Sequence, residues 1–220
     1  MTRRFVLRGG EVFDGNGTPA QKADILVEDE RVARVAAPGS FDALGDARVL
    51  DASGCWVTPG FLDTHTHYDA ELAMAPGLTE SVRHGVTTVV VGSCSVSFVA
   101  STAEDCADLF TRVEAVPREF VLPLLREIKR WDSPRGYREW IDRHPLGPNV
   151  ASFLGHRAIR ARAMGLHRSV DGSAPDTNEQ QQMTALLEEA LDCGFLGMSA
   201  MTYPWDRLDG DREWSKSLPS

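Results

Sequence analysis

Short apolar segments separated by turn residues occupy the first part of the chain. They cover residues 5–8, 12–13, 25–27 and 32–35. The breaks between them, such as Gly9-Gly10 and the run Asp14-Gly15-Asn16-Gly17, contain residues that tolerate turn geometry. Residues 1–58 are therefore predicted to form a small β domain that ends near Thr58-Pro59-Gly60, where proline and glycine indicate a change of element.

After residue 58 the pattern becomes apolar strand, polar loop and helix-period stretch. Strands are predicted at residues 60–67, 85–91, 150–154 and 195–199. Helices are predicted at residues 78–84, 107–113, 136–144 and 177–193. A capping box from Ser101 to Glu104 and a cap in the run 177–180 precede two of them. The second strand is β-branched almost throughout, as strands buried on both faces are. This alternation predicts an α/β domain with a parallel sheet over residues 59–220.

Composition and charge narrow the classes of function. A hydrophobic share of 42% and a charged share of 25% are ordinary for a globular protein. The net charge of -9 disfavours a nucleic-acid partner. The sequence has no apolar run of the roughly 18 residues that a membrane span needs and no secretory signal pattern, so the prediction is no membrane and a cytoplasmic protein. The cysteines are widely spaced in a chain too large to need disulfides, which favours reduced thiols.

Candidate metal ligands lie where the first two strands of the predicted parallel sheet end. His65 and His67 are two residues apart, so in an extended chain both imidazoles point to the same face. Cys94 follows the second strand at the same edge of the sheet, and thiolate with imidazole is a donor set that suits zinc. Alone, a His-x-His pair is more often two hydrogen-bonded histidines, and a free cysteine is more often a small buried apolar residue. The latter interpretation is kept for Cys55, Cys106 and Cys193.

Other polar residues have weaker claims to the site. Asp63 shares the face of the two histidines, where it either orients an imidazole or anchors a loop. His156 follows the third strand at the same edge and is a candidate contact for the ligands or the substrate. His84, His144 and His167 fall in predicted helices or loops, where packing or solvation is the better interpretation.

These motifs resemble a known family. Residues 60–69 (GFLDTHTHYD), residues 84–92 (HGVTTVVVG) and Cys94 resemble the amidohydrolase superfamily, specifically its D-aminoacylase (N-acyl-D-amino-acid deacylase) branch. Residues 8–15, 155–160, 164–165 and 194–199 extend the resemblance along the chain. It implies a β-sandwich beside a (β/α)₈ TIM-type barrel, a zinc centre with His65, His67 and Cys94 as ligands, and hydrolysis of N-acyl-D-amino acids by a metal-activated water. Tyr68 and Arg160 then join Asp63 and His156 as candidate residues around the ligands or substrate.

The resemblance also implies that the chain is incomplete. A typical barrel needs about 250 residues, so residues 59–220 are expected to hold only the first four or so βα units. Further histidine ligands and a general-base aspartate are expected beyond Ser220, which predicts weak or no activity for these residues alone. Residues 1–58 would form an incomplete sandwich, and its open sheet edges favour self-association.

The sequence departs from the family pattern at two places. Ser93 and Ser95 stand where the family usually has asparagine and glycine, so a backbone position that favours positive φ lacks glycine. Arg157 stands where the family often has a small residue, so it would crowd the pocket or change its charge.

Two alternatives compete with the deacylase hypothesis. A cyclic-amide hydrolase of the dihydropyrimidinase or hydantoinase kind shares the His-x-His motif, but such enzymes use a modified lysine, and the fourth strand has Met198-Ser199-Ala200 instead. A non-catalytic metal-binding or interaction protein, or an inert fragment, is the alternative from a different class. Zinc stoichiometry separates these hypotheses.

Overall fold

A computed structural model describes residues 3–114 and 117–203 of the chain. The chain divides into two compact units, Met1–Gly60 and Phe61–Ser220. The first is built from strands and the second from alternating strands and helices, so the α/β class is confirmed.

The first unit is a five-stranded sheet. Its strands are β1 (Arg4–Val12), β2 (Gln21–Glu28), β3 (Arg31–Ala36), β4 (Arg48–Asp51) and β5 (Trp56–Val57). The order is β3-β2-β1-β4, and β5 pairs with the second half of β1. The described part of this unit holds this one sheet, so the sandwich stays a prediction.

The predicted break at Gly9-Gly10 is wrong, because β1 continues through both glycines as a bulged strand. The register with β2 shifts between Leu7 and Gly10, and Gly9 has a φ of 73°. Asp24 of β2 is fully buried, and its carboxylate accepts hydrogen bonds of 2.8 Å from the backbone N–H groups of Gly9 and Gly39. The side chain therefore satisfies two donors that the bulge and a following turn leave without strand partners.

The second unit contains five short parallel strands and eight helices in its described part. The strands are β6 (Phe61–Asp63), β7 (Val86–Val91), β8 (Asn149–Ser152), β9 (Leu154–Gly155) and β10 (Met198–Ser199). The helices are α1 (Asp69–Met74), α2 (Thr79–Arg83), α3 (Ala103–Glu114), α4 (Arg118–Ile128), α5 (Pro134–Arg143), α6 (His156–Met164), α7 (Leu166–Val170) and α8 (Thr177–Asp192).

The parallel strands follow one another in chain order. β6 pairs with β7 and β7 with β8, while β9 pairs with β10. The predicted third strand is interrupted at Phe153, whose N–H still donates to the Val91 carbonyl of β7 at 3.0 Å. Leu154 then turns its N–H to the Gly197 carbonyl ahead of β10. One stretch of chain thus links β7 on one side to β10 on the other, which places four strand ends in sequence order.

Buried valines of β7 explain why this strand was predictable. Val89 and Val91 are fully buried and pack against Leu72 of α1 and Leu78, which precedes α2. A strand covered in this way requires apolar residues on both faces, and β-branched side chains fit that environment.

Two helix caps lie one residue away from the positions that the sequence indicated. The side chain of Thr102, rather than Ser101, accepts the N–H of Asp105 at the start of α3, and Ser101 donates to the Ala158 carbonyl instead. At α8 the cap is Asp176, which forms a capping box with Glu179. Short polar runs contain several residues able to cap, and the packing of the helix decides which one does.

None of the helices in residues 3–114 and 117–203 combines the length and the apolar composition that a membrane crossing requires.

We predict that Asp24→Ala lowers the free energy of unfolding by about 2–4 kcal/mol, because it leaves two N–H groups unpaired at a cost of about 1–3 kcal/mol each. Urea unfolding followed by circular dichroism measures this change. The matched control is Asp14→Ala, which removes an exposed carboxylate that accepts the Asn16 N–H at the same 2.8 Å. Equal effects of the two substitutions would contradict the role assigned to Asp24.

Candidate metal centre

The side chains of His65, His67 and Cys94 meet at one place in the second unit. One ligand atom from each lies within 4.8 Å of the others, and His65 Nε2 is 3.0 Å from Cys94 Sγ. The two imidazole rings have centroids 5.5 Å apart. His65 is exposed and the other two are partly buried, so the group is accessible from solvent.

The residue between the two histidines is bonded to strand β7. Thr66 is buried, its N–H donates to the Val90 carbonyl at 3.0 Å, and its hydroxyl donates to the same oxygen at 2.8 Å. Both bonds attach the segment that follows β6 to strand β7. Thr66 therefore fixes the backbone between His65 and His67 against β7.

A tight loop after β7 presents Cys94. Gly92 has a φ of 74°, and a Cβ there would lie 2.1 Å from the Phe153 carbonyl oxygen, so the position accepts only glycine. Cys94 and Ser95 also have positive φ, 52° and 73°. Ser95 is thus a left-handed residue without the glycine that the family pattern places there. L residues pay about 1–2 kcal/mol for this conformation, so the surroundings must stabilise the loop.

Asp69, in the first turn of α1, holds both ends of this loop. Its carboxylate is buried and accepts the backbone N–H groups of Gly92 at 3.3 Å and Phe98 at 3.4 Å. Burial raises the pKa of Asp69 to about 7, and the two N–H donors oppose that rise. This role of Asp69 was not predicted from the sequence, although Asp69 stands inside the motif that carries the family resemblance.

Asp63 and Tyr68 hold neighbouring backbone and side chains in place. Asp63 Oδ1 accepts the backbone N–H of His65 at 3.3 Å, which corresponds to the loop-anchoring interpretation. Tyr68 precedes α1, and its hydroxyl accepts a hydrogen bond from the Ser81 hydroxyl at 3.3 Å.

His156 and Arg160 lie on the first two turns of α6, directly after β9. His156 is half-buried, and its pKa is lowered by burial and by the positive charges of Arg160 and Arg157. Arg160 is buried, donates from Nη2 to the Ser173 carbonyl at 3.2 Å, and has its pKa lowered by burial. Arg157 is also buried, and its backbone N–H donates to the Ser95 carbonyl at 2.9 Å. The start of α6 therefore packs on the Cys94 loop.

The remaining histidines and cysteines lie outside this group. His144 Nε2 is 2.9 Å from the Leu72 carbonyl oxygen and its ring packs on Trp140, a packing role. His84 ends α2 and His167 lies in α7. Cys106 is fully buried, whereas Cys55 is exposed, so the interpretation of Cys55 as a buried apolar residue is wrong.

The donor set fits a zinc-like cation. Donor atoms around one tetrahedral zinc ion lie roughly 3.5 Å apart. The separation of 3.0 Å between His65 and Cys94 and the upper bound of 4.8 Å for any pair bracket that distance. Two imidazoles and one sulfur are donors that zinc prefers.

Comparison with known proteins gives a consistent result. A sequence model described as "Amidohydrolase family" matches residues 48–209. A protein of Mycobacterium tuberculosis, described only as uncharacterised, is 52% identical over 221 residues, which cover 100% of this chain and 36% of that protein.

Two solved structures that share the fold are of enzymes with a named activity. A D-aminoacylase structure, whose description concerns its binuclear metal centre, has a TM-score of 0.74 at 31% identity and covers 91% of this chain and 39% of its own. An N-acyl-D-glutamate deacylase from Bordetella bronchiseptica, complexed with zinc and a phosphonate inhibitor, has a TM-score of 0.73 at 32% identity over 89% of this chain and 38% of its own. The chain thus spans little more than a third of each.

We predict that iodoacetamide at about pH 8 modifies Cys55 and spares Cys106 in the folded protein. Cys106 is fully buried and burial raises its pKa to about 12, so about one molecule in ten thousand carries the thiolate at that pH. Peptide mass spectrometry after timed labelling measures both rates. The control is labelling in urea, where Cys106 becomes reactive, and equal native rates would contradict the described burial.

Proposed function

The chain belongs to the amidohydrolase family, in the D-aminoacylase branch, and from that premise we propose that His65, His67 and Cys94 are ligands of a divalent metal ion. The single observation that carries the proposal is the 3.0 Å approach of His65 Nε2 to Cys94 Sγ. The two residues follow different strands and are 29 positions apart in sequence, so local chain geometry does not bring them together.

Zinc is the metal that the donors favour. Thiolate and imidazole together select zinc over magnesium and calcium, which prefer oxygen ligands. The similar N-acyl-D-glutamate deacylase was solved with zinc. Asp63, which holds the His65 backbone, and Asp69, which holds the Cys94 loop, would support the ligands without binding the ion themselves.

We further propose that the protein as a whole hydrolyses the amide bond of N-acyl-D-amino acids. One of the two solved relatives is a D-aminoacylase, and the other is an N-acyl-D-glutamate deacylase. A bound zinc ion would polarise the scissile carbonyl and lower the pKa of a water molecule. The residues described here contribute the donors and keep them in position; His156 and Arg160, at the same edge, are proposed to lie near the ligands or the substrate.

The order of the strands supports a proposal for the architecture of the second unit. Four strand ends in chain order, β6, β7, β8–β9 and β10, with helices between them, match the opening of a (β/α)₈ barrel. We propose residues 59–220 as the amino-terminal part of such a barrel and residues 1–58 as part of a β-sandwich. Self-association through open sheet edges and a cytoplasmic location stay predictions.

The fourth strand disfavours the cyclic-amide hydrolase alternative. That class needs a modified lysine there, whereas this chain has Ser199 in β10. The Ser199 hydroxyl is already bonded to the Cys94 loop. The position is thus used to hold a cysteine-bearing loop.

We predict that the protein binds zinc and that Cys94→Ser weakens binding by more than about 100-fold, since loss of a ligand exceeds the 10–100-fold effect of an outer residue. His65→Ala should have an effect of the same order. Competition with a chromogenic chelator measures the affinities. The matched control is Cys55→Ser, which changes an exposed cysteine that is not one of the three donors and should leave affinity unchanged.

We predict that the protein made from its complete open reading frame releases the free amino acid from N-acetyl-D-amino acids and not from the L enantiomers. Chelation of the metal should abolish the activity and added zinc should restore it, because the metal supplies the electrophile. Chiral chromatography of the products measures both. Chelator-resistant turnover, or equal turnover of both enantiomers, would count against the proposed reaction.

A further inference from the structure

The hydroxyl of Ser199 bridges the two sides of the loop that carries Cys94. The hydroxyl donates to the Gly92 carbonyl, and its oxygen accepts the Ser95 N–H at 3.0 Å. Ser199 is more than 100 positions away in sequence and lies on β10, the strand beyond β8–β9. Both hydrogen bonds therefore join the fourth strand of the series, β10, to the loop that follows the second strand, β7.

The two hydrogen bonds of Ser199 lie on either side of Cys94. Gly92 and Ser95 flank the Ser93-Cys94 pair on its two sides. Cys94 and Ser95 have the left-handed conformation, which L residues leave readily unless other contacts hold them. A hydroxyl that bonds to both flanks opposes the relaxation of the turn that would redirect the Cys94 side chain.

A second contact from the same segment adds to the bridge. The Met201 N–H donates to the Ser95 hydroxyl at 3.2 Å. The fourth strand and the residues after it therefore contact the loop through two serine hydroxyls. Asp69 holds different atoms, the N–H groups of Gly92 and Phe98, so its bonds do not replace those of Ser199.

We propose that Ser199 is a positioning residue for the metal ligand Cys94, so that the fourth strand sets the direction of the thiolate instead of supplying a ligand. The inference rests on the proposed metal centre. It differs from a general structural role in one respect: Ser199 should affect metal binding only while the thiolate of Cys94 is present.

A double-mutant cycle tests this dependence. The variants are Ser199→Ala, Ser199→Thr, Cys94→Ala and the double substitution Cys94→Ala with Ser199→Ala. Zinc affinity is measured by chelator competition, and the sulfur-to-metal charge-transfer absorption of the Co²⁺-loaded protein reports the thiolate bond. Ser199 is only half-buried, so removal of its hydroxyl opens no large cavity.

We expect Ser199→Ala to weaken zinc binding by roughly 10–100-fold and to reduce the charge-transfer absorption, as loss of a residue that orients a ligand does. Ser199→Thr retains the hydroxyl and should restore both. In the Cys94→Ala background, Ser199→Ala should change affinity by less than about twofold. The matched control is Ser101→Ala, a buried serine that donates to the Ala158 carbonyl, which should leave affinity and absorption unchanged.

Two results would overturn the proposal. Equal weakening in both backgrounds, together with a lower unfolding midpoint of the metal-free protein, would make Ser199 a general structural residue. Unchanged affinity and absorption in Ser199→Ala would remove any positioning role. Failure of the metal centre itself is distinguishable, because the unsubstituted protein would then bind neither zinc nor cobalt, or would bind both without a thiolate absorption.

Discussion

The arrangement of the candidate site depends on one buried carboxylate. Asp69 follows His67 by two residues and accepts N–H groups at both ends of the Cys94 loop, so it attaches the histidine segment directly to that loop. Burying a carboxylate is costly, and the rise of its pKa to about 7 reflects that cost. The two N–H groups would otherwise be unpaired in the interior, and their bonds to Asp69 offset part of the penalty.

Close contacts between the backbone of the third strand and the Cys94 loop also hold that loop in place. A Cβ at Gly92 would overlap the Phe153 carbonyl oxygen, and a Cβ at Gly155 would lie 2.4 Å from the Ser95 carbonyl oxygen. The third strand therefore lies against the Cys94 loop at a distance that only glycine permits. Because α6 begins immediately after Gly155, the same approach fixes where His156 and Arg160 emerge.

The sequence predicted the features that depend on neighbouring residues, and it missed those that depend on contacts between distant segments. The β-branched run of β7 follows from its burial on both faces. His65 and His67 lie near one another as their spacing predicted, although β6 ends at Asp63, before both histidines. The bulge at Gly9-Gly10, the interruption at Phe153 and the role of Asp69 depend on hydrogen bonds between segments distant in sequence. Helix α4 was not predicted, because Pro123 inside it resembles a break while its apolar face is stabilised by packing against α3.

At the proposed metal centre, the left-handed turn at Cys94 and Ser95 would couple loop geometry to metal affinity. This conformation costs less free energy for glycine than for cysteine or serine. The hydrogen bonds from Asp69, Ser199 and the Arg157 backbone offset that cost in the metal-free protein. Ligand atoms held in place in this way lose little freedom on binding, so a larger part of the metal–ligand interaction appears as affinity. By the same linkage, a metal bound at the proposed centre would stabilise this turn. The serine at position 95 therefore makes the loop more dependent on these hydrogen-bond partners, Ser199 among them, than a glycine would.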